Sequence, residues 1–169
     1  KGEKDMTLPE QERERFCQVL HHSRTSLYRL AFSITQNSSD AQEAVAEAVC
    51  RAYERYPQLR EKEKLPRWLL KITANEARRL CQRRGRTVSL DDLPTEPAIP
   101  GRETGDDTLW QAVQTLPRDQ REAVVLFYYE DLPTEEIARI LGTTPGAVRV
   151  RLSRAREKLR SILKEGDHG

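Results

Sequence analysis

Between Ser38 and Tyr56 apolar residues recur at positions 41, 44, 45, 48, 49, 52, 53 and 56, which is one face of a helix with 3.6 residues per turn. Ser39 with Gln42 three residues later forms a capping box, and Pro57 lies just past the end, so the pattern predicts a helix over 39–56. The same reading predicts helices over 10–22, 24–36 and 65–84. Glycine is absent from position 3 to 84, and only Pro57 and Pro66 interrupt positions 10–93, as a helical region requires. Four further helices are expected over 107–115, 118–129, 134–141 and 145–164. No alternating pattern supports a strand. Between the two halves, 86–107 holds three prolines, two glycines and six acidic residues without periodic apolar positions, the signature of a linker. The expected fold class is therefore all-α. It comprises a four-helix domain over 8–85 and a four-helix helix-turn-helix domain over 108–165, joined by a flexible acidic linker over 86–107.

The helix-turn-helix rests on the stretch from Thr134 onward. Thr134 is placed to cap, with Glu135 and Glu136 in the first turn, while Ala138 is small enough for a second helix to approach. Gly142 permits a sharp exit, and Thr144 with Pro145 offers a cap and an N1 proline for the next helix. On that helix Val148, Leu152, Ala155, Leu159 and Ile162 share the core side. Ala147, Val150, Ser153 and Arg154 face outward, flanked by Arg149 and Arg156. Six cations between Val148 and Leu163 stand against one acid, Glu157, a charge pattern that suits the phosphates of duplex DNA.

The helix over 65–84 carries a second candidate surface. Leu69, Leu70, Thr73, Ala74, Ala77, Leu80 and Cys81 form one face, while Trp68, Lys71, Asn75, Arg78, Arg79 and Gln82 gather on the other. An aromatic ring beside cations, with an amide one turn away, is what stacking on an unpaired base and gripping its backbone requires. Packing of Trp68 beneath the preceding helix is the competing explanation of the same residue.

Composition narrows the function. The 169 residues carry 29 Lys+Arg against 27 Asp+Glu, a net +2, so any attraction to nucleic acid must come from segregated rather than total charge. No apolar run approaches the length of a membrane span, and no charged-then-apolar leader pattern opens the chain. With three widely spaced cysteines, Cys17, Cys50 and Cys81, these features predict a cytoplasmic protein without membrane insertion of its own. Cys17 and His21 have the i, i+4 spacing of a metal pair, but two ligands make no site. No phosphate loop, HExxH or Ser/His/Asp set is present, and neither cofactor, metal nor catalytic residue is expected.

The motifs resemble the extracytoplasmic-function group of bacterial RNA polymerase sigma factors. Asp40 to Tyr53 (DAQEAVAEAVCRAY) is similar to the family's polymerase-binding helix, Trp68 to Asn75 (WLLKITAN) to its promoter-melting helix, and Leu116 to Leu163 to its C-terminal promoter-binding domain. GTTPGAVRVRLSRAREKL is the most specific segment. The resemblance implies an alternative sigma factor, not an enzyme, that docks on the clamp helices of the largest subunit of core RNA polymerase through Asp40, Glu43 and Glu47. It further implies capture of the non-template strand at the downstream promoter element by Trp68, Lys71, Asn75 and Arg78. Thr144, Arg149, Val150, Ser153 and Arg154 would meet the upstream element, and an anti-sigma factor would hold the protein inactive. Ala46 stands where the family usually has Gln, Arg79 where an acid is common, and Val150 where Ser is frequent. A helix-turn-helix regulator acting without polymerase is the alternative, and the first domain is what separates the two.

Overall fold

The computed structural model describes residues 8–85 and 107–167. The predicted linker lies outside the described residues except for Asp107, which opens a helix. No strand occurs among the described residues.

The first half is built from three long helices rather than four. Helix α1 runs unbroken over Glu10–Thr35 where two segments are expected. The junction around Ser23 contains neither Gly nor Pro, and a single helix lets Phe16, Leu27, Leu30, Ala31 and Ile34 bury together. It ends at Gln36, whose φ of 56° lets its N–H reach the carbonyl of Phe32. That left-handed turn sets where α2 (Ser38–Arg55) begins. Its cap is Asn37, whose side chain accepts from the amide of Asp40 at 2.9 Å, two residues before the predicted box at Ser39. Ser38 Oγ is instead engaged as the acceptor of Tyr28 Oη at 3.1 Å. Two 3₁₀ turns, Tyr56–Gln58 and Lys62–Lys64, lead into α3 (Leu65–Arg84), which has Pro66 in its first turn. Lys62 Nζ donates to the carbonyls of Tyr56 and Leu59 at 2.7 and 2.8 Å and so holds the connection shut.

Close packing of these helices depends on alanine. Ala41, Ala44, Ala48 and Ala52, spaced three or four residues apart, are all buried, and the absence of longer side chains lets α2 lie near α1 and α3.

The second half contains α4 (Asp107–Gln114), α5 (Arg118–Val124), α6 (Thr134–Leu141) and α7 (Pro145–Asp167). The expected regular helix to position 129 closes instead with a π-turn over Val125–Tyr129. Asp131, at φ 55°, then reverses the chain, and Leu132 N–H donates to the carbonyl of Leu126 at 3.2 Å. Thr134 is not the cap of α6: Pro133 occupies that position, and its carbonyl accepts from Glu136 and Ile137 N–H at 3.0 Å each. The turn beyond α6 agrees with its sequence. Gly142 takes a left-handed φ of 69° with its N–H on the carbonyl of Ala138, and Thr144 Oγ1 accepts from the amide of Ala147 at 3.1 Å.

The halves share one contiguous hydrophobic cluster. Trp110 of α4, only 2% exposed, lies 6.3 Å from the ring of Phe32 on α1 and meets Tyr129 edge-on at 5.5 Å.

Filling the alanine row has a defined cost. Ala48→Leu should destabilise the protein by about 1–3 kcal/mol through overpacking, read as a lower thermal midpoint by circular dichroism. Ala46→Leu, on the exposed side of the same helix, should stay within about 0.5 kcal/mol of the parent.

Candidate nucleic-acid interface

On α7 the structure separates core from surface where the periodicity does. Val148, Leu152, Ala155 and Leu159 are buried and Ile162 is half-buried, while Arg149, Val150, Ser153 and Arg154 are exposed. Val150 keeps 48% of its surface in solvent. No carboxylate among the described residues pairs with Arg149 or Arg154, so both guanidinium groups are available to an anionic partner. Arg151 is turned aside toward Asp119 at 3.8 Å. Arg156 Nε donates to Tyr128 Oη at 2.6 Å, and its guanidinium lies over the rings of Phe127 and Tyr128. The α6–turn–α7 unit thus presents a cationic helix face, and Thr144 serves it as a helix cap.

The face of α3 is arranged differently. Asn75 is exposed, whereas Trp68 is half-buried and packs against the core at its edge. With Leu59, Lys64, Arg67 and Lys71 of the first half and Glu136, Arg139 and Ile140 of α6, Trp68 lines a cleft of about 250 Å³. Ile72, which projects between the two predicted faces, is buried, as is Glu76. Glu76 forms an ion pair with Arg51 at 2.7 Å and accepts from Arg79 at 3.0 Å. Arg79, unusual by family pattern, therefore belongs to an ion-pair cluster with α2.

Three cations of α3 reach across to the second half. Arg67 approaches Glu136 at 3.2 Å, Lys71 Nζ donates to the carbonyl of Arg139 at 3.1 Å, and Arg78 meets Glu122 at 2.8 Å. The side chain of Glu122 is just 3% exposed. Arg29 of α1 likewise pairs with Glu130 at 3.0 Å, and Arg121 donates to the carbonyls of Ser33 and Leu116 at 2.7 Å each. Burial, followed by the neighbouring Arg118, lowers the pKa of Arg121 from its ordinary value.

These partners were not singled out by the sequence. A signal existed for Glu122, which stands three and four residues before the buried Val125 and Leu126 and so projects toward the same side. A carboxylate on an apolar face announces a partner. Nothing local marks that partner as Arg78, which is 44 residues away.

The polymerase-facing candidates on α2 divide. Glu43 and Glu47 are exposed, with Arg84 and Arg51 respectively 3.9 Å away. Asp40 is buried and pairs with Arg84 at 3.1 Å, which fits it to fix the start of α2 more than to meet another protein. Of the cysteines, Cys17 and Cys50 are exposed. Cys81 is half-buried, and burial pushes its thiol pKa up. Among the described residues no group of three His, Cys, Asp or Glu is placed to hold a metal, and no helix is long and apolar enough to cross a membrane.

Family comparison covers most of the chain. Residues 19–87 match Sigma-70 region 2, and residues 106–159 match Sigma-70, region 4. The chain is 32% identical over 142 residues to RNA polymerase sigma factor SigV of Bacillus subtilis, covering 83% of this chain and 86% of that protein. It is also 32% identical over 143 residues to the ECF RNA polymerase sigma factor EcfG of Rhodopseudomonas palustris, covering 82% and 79%. Among solved structures, the sigma factor RpoE of Bartonella quintana, crystallised with the anti-sigma factor NepR, superposes with a TM-score of 0.73. It is 28% identical, over 88% of this chain and 96% of that one.

The capping role of Thr144 is directly measurable. Thr144→Ala should cost about 1 kcal/mol of stability, seen in denaturant unfolding, and Thr144→Ser should recover most of it.

Proposed function

This chain belongs to the sigma-70 family, in its extracytoplasmic-function group, and from its function as an alternative sigma factor in transcription initiation we propose how its residues divide the work. Residues 8–85 dock on core RNA polymerase and open the promoter, and residues 108–165 fix register on the upstream element. Polymerase contact runs through the exposed Glu43 and Glu47 on the clamp helices of the largest subunit, with Asp40 anchoring the helix that carries them. Trp68, Lys71, Asn75 and Arg78 take the displaced strand. Arg149, Val150, Ser153 and Arg154 enter the major groove, and Thr144 sets the first turn of the helix that holds them.

The observation that carries this reading is the exposed, carboxylate-free pair Arg149 and Arg154 on a helix delivered by a glycine turn and a threonine cap. Arginine on phosphate supplies affinity that falls steeply with salt, and arginine on a base edge supplies discrimination of about 1–3 kcal/mol per contact. The protein performs no chemistry of its own in this scheme. It works in the cytoplasm on a restricted set of promoters. An anti-sigma partner, as named for the Bartonella protein, holds it inactive.

Gel filtration with core polymerase gives the first test, with a stoichiometric complex expected. Arg154→Ala should leave that complex intact while weakening upstream-element binding by about 1–3 kcal/mol in a duplex competition assay. Asn75→Ala should reduce permanganate-reactive open complexes at unchanged closed-complex affinity. Loss of helical content in both variants would remove the site assignment.

A further inference from the structure

Arg156 is exposed, yet its guanidinium is held in one place. Its Nε donates to Tyr128 Oη at 2.6 Å, and the group lies over the rings of Phe127 and Tyr128, 5.6 and 5.8 Å from their centroids. Those rings meet edge-on at 4.9 Å on the π-turn of Val125–Tyr129, ahead of α6. Elsewhere arginines are held by carboxylates, as Arg29 is by Glu130, Arg78 by Glu122 and Arg79 by Glu76. A carboxylate orients a guanidinium and neutralises it in the same step. A phenol accepts the Nε–H and leaves the charge whole, and no carboxylate among the described residues pairs with Arg156. The two terminal NH₂ groups therefore stand in solvent, oriented and fully cationic. A free arginine would lose its rotamer freedom on meeting an anion, and this one has lost much of it beforehand.

The position of Arg156 on α7 says which anion it fits. Arg149, Arg156 and Arg160 follow one another at seven and four residues, within about 40° of one another on a single flank of the helix. All three are exposed and none has a carboxylate partner among the described residues. Val150, Ser153 and Arg154 lie to one side of that stripe, at the centre of the outward face. A helix about 10–12 Å across in a major groove about 12 Å wide has base edges beneath its centre and phosphates against its flanks. On the opposite flank Arg151 is turned toward Asp119. We propose that Tyr128 and Arg156 form a phosphate clamp for duplex DNA, in which Arg156 binds a backbone phosphate beside the base-reading face and Tyr128 is the residue that positions it. The proposal rests on the reading of α7 as the DNA-reading helix and adds a contact supported from outside the helix-turn-helix. Such a contact contributes affinity and register without sequence preference.

The full-length protein is titrated by anisotropy against fluorescent duplexes of two unrelated sequences over a series of salt concentrations. Arg156→Ala should weaken both duplexes about tenfold at low salt and lower the slope of log K against log salt by about 1. Arg156→Lys, which keeps the charge, should restore that slope. Tyr128→Phe keeps the ring and removes the acceptor, so it should cost about threefold with the slope unchanged. Placed on Arg156→Ala it should cost nothing further, because its contribution runs through that side chain. Both side chains are exposed, circular dichroism checks folding, and Arg156→Gln replaces Arg156→Ala if the latter unfolds. An unchanged slope in folded Arg156→Ala would overturn the clamp, as would weakening confined to one duplex, which marks a base contact. Equal costs of Tyr128→Phe in the two backgrounds would overturn the positioning role. The reading of α7 fails separately: if Arg149→Ala and Arg154→Ala both bind the duplexes as the parent does, the helix does not lie in the groove, whatever Arg156 shows. A parent that binds neither duplex at low salt overturns both.

Discussion

A carboxylate as buried as that of Glu122 must be compensated, and Arg78 does so at 2.8 Å from another helix more than forty residues away. Removing one partner of such a pair costs more than the pair contributes, because it leaves an uncompensated charge in a dry place. The pair therefore acts as a specification: α5 can lie against α3 only where the two charges meet. Arg121, one residue earlier, reaches the carbonyls of Ser33 and Leu116, tying α5 to the end of α1 and to the turn that precedes it. With α5 fixed twice, α6 falls across the first turns of α3, and Trp110 closes the apolar seam against Phe32. Packing alone would tolerate sliding. Directional ion pairs remove that freedom.

What the sequence made legible were features encoded within one helix or one turn. The buried side of α7 and the core side of α3 follow from periodicity, because amphipathic helices carry their orientation in their spacing. Gly142 and Thr144 followed from local backbone chemistry. The undivided α1 was missed for the complementary reason. Around Ser23 the apolar pattern is weak, yet no residue there stops a helix, and tertiary burial of Phe16 together with Leu27 decides the matter. The shift of the α2 cap from Ser39 to Asn37 likewise depends on how α1 ends.

The candidate sites were legible in proportion to their independence of the rest of the fold. Arg149 and Arg154 answer to no other element among those described. Asp40 and Arg78, by contrast, sit on polar flanks in projection and are both engaged by charges from elsewhere. Such pairings join segments that no periodicity relates, as Arg29 with Glu130 joins positions 101 residues apart. They emerge only once the helices are placed.

The alanine row of α2 bears on the order of events during assembly. A helix wedged against two others through four side chains that have no rotamers to lose cannot shift or reshape when its outer side is engaged. Glu43 and Glu47 are therefore presented on a preorganised platform, and a partner meeting them spends little of its affinity on ordering the surface. On α3 of the same half, by contrast, Arg67, Lys71 and Arg78 are turned onto oxygens of the second half. On the proposed assignment of these faces, a partner at Glu43 and Glu47 would meet a surface already in its final form, whereas a ligand of α3 would first have to displace those oxygens.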